Sequence, residues 1–198
     1  MEKLRRAILT ILCGLVLSLA YVSPAAAQTI DLGKPLLLVA APGLSGFYGR
    51  TVLIAVPVKD EHFGFILNRS MGMKMTQLFP DHLPSAKVVD PIYLGGPQLP
   101  EALFALLRHD PGKPSLRLLT DLFVISTRGL IDKVIEETPN EARYFTGFVG
   151  WRRGELASEL KSGYWYALDA DADAVFHGAP DAMWEEFLQK AQMSRDGI

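Results

Sequence analysis

Short apolar runs, each closed by glycine, proline or charge, dominate residues 36–168 of this 198-residue chain. Leu36–Ala41, Thr51–Pro57 and Phe63–Leu67 have strand length and strand composition. Pro42-Gly43 and Lys59-Asp60-Glu61 supply the turns between them. Ile92–Leu94 runs into Gly95-Gly96-Pro97, and Leu103–Leu107, Leu122–Ser126, Arg143–Val149 and Tyr164–Leu168 complete the strand candidates. Gly33-Lys34-Pro35 and Gly112-Lys113-Pro114 are two similar turns, each feeding an apolar strand. Helical spacing appears in three places. Leu130, Ile131, Val134 and Ile135 form one stripe, with Thr127 at the N-cap position and Pro139 ending the segment. Leu156, Ala157 and Leu160 form a second, closed by Gly163. Met183, Trp184, Phe187, Leu188 and Ala191 form the third, with Pro180 in its first turn. Strands grouped early and helices interspersed late predict an α+β fold: a mixed, mostly antiparallel sheet with helices packed on one side. Regular βαβ alternation is missing, which argues against a doubly wound sheet.

The segment before these elements has a different pattern. Lys3, Arg5 and Arg6 precede an apolar run from Ala7 to Ala20, and Ser23-Pro24-Ala25-Ala26-Ala27 follows with small residues. That order is a secretory signal peptide, with cleavage expected after Ala27. The run is shorter than the roughly 20 residues of a spanning helix. The expectation is a mature chain that is periplasmic or secreted, without a membrane span of its own. Retention of the leader as an N-terminal anchor is the alternative. Cys13, the one cysteine of the chain, lies in the leader, so cleavage leaves no thiol for catalysis, disulfides or metal binding.

Residues 28–198 suit one domain, with a core over about 33–191. The chain holds 20 basic and 22 acidic residues; the leader takes Lys3, Arg5 and Arg6 against Glu2, leaving 17 against 21, a net charge of −4. A mildly acidic body opposes broad contact with nucleic acid, which requires cations to displace phosphate counterions.

Candidate chemistry is sparse. His62, His82, His109 and His177 are not spaced as a metal site and read as turn or surface residues. Gly43-Leu44-Ser45-Gly46 approximates a nucleophile elbow, but its second glycine comes one residue early, so Ser45 is weak support for a hydrolase. Asp169, Asp171 and Asp173 begin like a calcium loop, yet Ala174 and Pro180 stand where glycine and glutamate are needed. Asp171 fits better as the cap of a short helix. No metal or cofactor is implied. Asn68-Arg69-Ser70 fits a glycosylation sequon, and Asn68 is also placed to close a strand. Tyr164-Trp165-Tyr166 offers aromatic surface on a strand, without a basic run beside it. The most suggestive stretch is Gly150-Trp151-Arg152-Arg153-Gly154-Glu155, between a strand and a helix. Helix-terminal amides with two arginines favour a small anion, while Glu155 competes for the same amides.

Ordered along the chain are Pro42-Gly43, Arg50-Thr51-Val52, Gly64-Phe65-Ile66-Leu67-Asn68-Arg69, Tyr93-Leu94-Gly95-Gly96-Pro97, Gly147, Gly150-Trp151, Gly154-Glu155-Leu156, Glu159 and Trp165. In that order and spacing the chain resembles the YqgE/AlgH family of bacterial proteins, from about Gly33 to Ala191. The resemblance implies a single α+β domain around a mixed sheet. It implies no defined chemistry, since the family's biochemical role is unsettled and its members are often labelled transcriptional regulators. The leader and Arg152-Arg153, where members usually carry small residues, depart from the family pattern.

Together these features predict an exported, non-catalytic binding or accessory domain. Its expected site for a small anionic ligand is Gly150, Arg152, Arg153 and Gly154, with Arg50, Asn68 and Arg69 contributing from the early strands. A transcriptional regulator and an uncharacterised hydrolase are the alternatives.

Overall fold

The computed structural model of the chain describes residues 30–196; the leader assigned to residues 1–27 lies outside them. Among the described residues ten strands form: β1 (Leu36–Ala40), β2 (Val52–Val58), β3 (Glu61–Ile66), β4 (Ser70–Met73), β5 (Ile92–Leu94), β6 (Gln98–Leu107), β7 (Leu116–Leu119), β8 (Leu122–Ile125), β9 (Ala142–Trp151) and β10 (Trp165–Asp169). Five helices join them: α1 (Met75–Leu78), α2 (Arg128–Glu137), α3 (Glu155–Lys161), α4 (Ala172–Val175) and α5 (Pro180–Asp196). The sheet runs β10-β1-β2-β3-β9-β6-β8-β7, with β5 joined to β9 and β4 to β5. Only the β5–β9 pairing is parallel among the described residues. The sheet is therefore mixed and mostly antiparallel, as the apolar pattern predicts.

Side-chain alternation sends neighbouring residues to opposite faces. On β6, Leu106 packs with the cluster that holds Leu38, Ile54, Phe65, Phe145 and, from α5, Met183, Trp184 and Phe187. Its neighbours Ala105 and Leu107 join Tyr144 and the α2 residues Ile131, Val134 and Ile135. Helices thus cover both faces, not one as expected from sequence. The reason is that β6 and β9 are apolar at successive positions, which requires cover on each side.

Two local differences have physical causes. β6 begins at Gln98, five residues before the expected Leu103; Gln98 pairs with Phe148, then the ladder is interrupted until Leu103 pairs with Thr146. Pro100 lacks an N–H for that ladder, and Leu99 has a positive φ of 46°. β4 and α1 have four residues each, too few to display a period. Asp171 does cap α4, its Oδ1 accepting the Ala174 N–H at 2.8 Å.

Just beyond β5, where the chain packs against β9, glycine is a geometric requirement. A Cβ on Gly96 would lie 2.2 Å from the carbonyl carbon of Phe148, and one on Gly147 would lie 2.3 Å from the Gly96 oxygen. Gly147 also has a φ of 67°, a bulge conformation that side chains rarely adopt. Further along β9, Phe148 and Gly150 line the concave surface described next.

Candidate functional site

An open groove of about 880 Å³ lies between the β2–β3 hairpin, the end of β9 and the edge strand β7. Phe63, Phe104 and Phe148 are half-buried and form its floor, with Leu116 opposite. The rings pack edge to face: Phe104 is 6.0 Å from Phe148 and 5.4 Å from Phe65, which is 6.0 Å from Phe63. Such an arrangement leaves ring faces for an incoming apolar body. A smaller cavity of about 360 Å³ shares Phe63, Phe104 and Leu116 and extends the groove toward β8.

Polar groups ring the mouth. Gln98 Nε2 donates to the Gly150 carbonyl at 3.3 Å, and its side chain lies where a Cβ of residue 150 would be, 2.6 Å from Oε1. His62, on β3, is held by a 2.9 Å hydrogen bond between Nε2 and the Leu32 carbonyl; because the carbonyl accepts, the proton is on Nε2. Glu61, Arg152 and Glu155 place three charges at the rim.

Trp151 fixes this end of β9 from below. Its Nε1 donates to Glu159 Oε2 at 2.8 Å, and Trp165 Nε1 donates to the same oxygen at 2.7 Å. One carboxylate thereby ties β9 and β10 to α3, which accounts for Trp151, Glu159 and Trp165 within the ordered pattern.

The residues expected from sequence divide into two sets. Gly150 and Arg152 line the groove. Arg153 points elsewhere: its guanidinium stands 3.6 Å from Asp60 and is largely exposed. Gly154 is the N-cap residue of α3, with a left-handed φ of 82°. In the turn before α3, Glu155 Oε2 accepts the Arg152 N–H at 2.8 Å. Glu155 therefore braces the turn that leads into α3, whose N-cap is Gly154.

Arg50, Asn68 and Arg69 lie at the other end of the β2–β3 hairpin. His62 pairs with Trp151 at the groove end, and Asn68 is six residues further along, roughly 20 Å at strand rise. The structure does not bring them to the groove. Asn68 ties the two strands, its Oδ1 accepting the Val52 N–H and its Nδ2 donating to the Arg50 carbonyl, both at 2.9 Å. Arg50 stacks on Trp184 at 4.3 Å and is paired with Glu185. Arg69 stacks on Phe47 at 4.9 Å.

The hydroxyls offer no assembled nucleophile among the described residues. Ser45 is exposed at the start of a short 3₁₀ turn. A different serine, Ser85, meets His82 Nδ1 at 2.9 Å, and His82 Nε2 is 3.8 Å from Glu136. This resembles a triad in composition only: Ser85 is 1% exposed, so a substrate carbonyl has no approach to it. Among the described residues, no group of His, Cys, Asp or Glu is placed to hold a metal ion, and no helix is long and apolar enough to cross a membrane.

His62, Gln98 and the three phenylalanines were not legible as a site. The phenylalanines fit the apolar periodicity of core strands, and an isolated Gln or His carries no spacing signal. Gly150 and Arg152 were the pointers to it in the sequence.

A curled, mostly antiparallel sheet with helices on both faces and an aromatic groove at one end defines an α+β domain of AlgH type. The sequence profile of the AlgH-like family matches residues 37–195, and the chain belongs to that family. Among curated relatives, a UPF0301 protein of Chlorobaculum parvum is 31% identical over 167 residues, 82% of this chain and 87% of the relative. One from Chlorobium limicola is 30% identical over 159 residues, covering 78% and 83%. The fold is shared with a crystal structure of a Corynebacterium diphtheriae protein (TM-score 0.68, 20% identity, 83% of this chain and 90% of that one). It is shared too with the solution structure of the AlgH protein from Pseudomonas aeruginosa (TM-score 0.64, 24% identity, 86% and 93%).

Proposed function

We propose that this protein is a non-catalytic binding domain, exported to the periplasm or beyond once residues 1–27 are removed. It holds a small, largely apolar molecule with an acidic group in the groove over Phe63, Phe104 and Phe148, and Arg152 receives the acid. The observation that carries this reading is the groove itself. Its volume of about 880 Å³ falls in the small-molecule range of roughly 300–1,000 Å³, and apolar walls with a few polar groups at the rim are the usual form of such sites. Arg152 makes no salt bridge among the described residues, whereas Arg153 is paired with Asp60. The order of cationic head, apolar run and small residues supports export, and a body of net charge −4 opposes phosphate-backbone contact.

The test is a calorimetric titration of the purified protein with 3-phenylpropanoate, together with the variants Arg152→Ala and Arg153→Ala. Binding that is lost in Arg152→Ala and kept in Arg153→Ala supports the reading. Equal effects of the two variants, or no binding by the unaltered protein, contradict it.

A further inference from the structure

The groove mouth carries more charge than an acid alone requires. Arg152 contributes one positive group, and Glu61 and Glu155 contribute two carboxylates. They come from separate elements: Glu61 opens β3, Arg152 follows β9, and Glu155 opens α3. Among the described residues none of the three is in a salt bridge with another charged side chain. One oxygen of Glu155 accepts the Arg152 N–H; this contact fixes the carboxylate in place and leaves its charge at the rim. A bare anion entering here meets one attraction and two repulsions. A bare cation meets the reverse balance with Arg152 against it.

We propose that the groove selects a zwitterion: a small molecule with a carboxylate, an ammonium and an apolar body, of which an aromatic α-amino acid is the simplest. The carboxylate is received by Arg152 and the ammonium by Glu61 and Glu155. The side chain lies on the aromatic floor, whose ring faces also favour a nearby cation. This inference rests on the groove being the binding site, and it names the ligand class for that site. Complementary charges at a rim act largely as a filter on which ligand is accepted, because like charges repel and opposite charges attract the incoming groups.

Three probes of matched shape separate the possibilities by calorimetry on the purified protein. They are L-phenylalanine, 3-phenylpropanoate, which lacks the ammonium, and 2-phenylethylamine, which lacks the carboxylate. Phenylalanine is expected to bind at least about tenfold more tightly than either fragment, the scale of one charge-assisted contact. In the double variant Glu61→Gln, Glu155→Gln that advantage over phenylpropanoate disappears, and phenylpropanoate itself binds more tightly because its two repulsions are gone. The amide introduced by Glu155→Gln retains an oxygen for the Arg152 N–H, so the turn is preserved. Phenylpropanoate binding as tightly as phenylalanine overturns the zwitterion and leaves acid binding at the groove intact. Phenylethylamine binding as tightly overturns both the zwitterion and the role of Arg152. No binding by any of the three overturns the groove as the site.

Discussion

The Gln98 side chain lies across Gly150, donating from Nε2 to the Gly150 carbonyl at 3.3 Å over a position where a methyl group would be 2.6 Å from Oε1. The groove mouth keeps its shape because residue 150 has no side chain and Gln98 fills that space.

Gly150→Ala and Gly96→Ala are therefore expected to behave differently. At 150 the obstacle is the flexible end of Gln98, which can move aside, so the cost in stability is about 1 kcal/mol or less. At 96 the obstacle is the Phe148 backbone, 2.2 Å away, and the cost is on the order of 3 kcal/mol as β5 and β9 are forced apart. Urea unfolding of the two variants checks the contrast. Equal destabilisation contradicts it.

The shared carboxylate beneath the groove gives a second expectation. Glu159→Ala leaves the indole N–H groups of Trp151 and Trp165 without their acceptor, at a cost of about 2 kcal/mol. Glu159→Gln keeps an acceptor oxygen and costs less. Denaturation followed by tryptophan fluorescence reads both stability and the indole environment.

Arg143 is a buried cation whose Nη1 donates to the Val175 carbonyl at 2.7 Å and the His177 carbonyl at 3.1 Å. Its Nη2 stands 3.4 Å from Asp90, and its guanidinium lies 4.8 Å from the Tyr93 ring. Arg143→Met leaves the Val175 and His177 carbonyls without their donor while removing a buried guanidinium whose Nε has no partner, and is expected to destabilise by about 1–3 kcal/mol. Thermal melting of the variant tests this, and a melting temperature unchanged from the parent contradicts it.

Much of this was open to reading from the chain. The strand runs and three helical stripes are in place, and Asp171 and Gly163 punctuate them as expected. The pairing of distant turns was not readable. Arg50 and Asn68 lie at one end of a hairpin and Arg152 at the other, because strand direction and register decide proximity and leave no trace in spacing. The two-sided burial of β6 was visible as a run of apolar neighbours, but a short strand buried on both faces reads much like one buried on a single face.

Alkaline pH gives a further test. Burial pushes the Tyr144 hydroxyl well above its ordinary value, and it donates to the Pro139 carbonyl at 3.1 Å. The folded state keeps this proton while the unfolded chain releases it near pH 10. The unfolded state then binds fewer protons, so stability is full below about pH 10 and falls as pH rises beyond it. Tyr93 and Tyr48 are raised chiefly by burial and act in the same direction. Urea midpoints measured across this range should decline, and less steeply in Tyr144→Phe.

Export is tested by mass spectrometry of the protein isolated from its native host. A chain beginning at Gln28 is expected, and a soluble chain that retains Met1 contradicts the placement outside the cytosol.

The most direct test of the groove as the binding site is a residue-by-residue NMR titration with 3-phenylpropanoate. Shifts confined to the amides of Phe63, Gln98, Phe148, Gly150 and Arg152 are expected. Shifts clustered at Arg50, Asn68 and Arg69, or an unperturbed spectrum at saturating ligand, would contradict it.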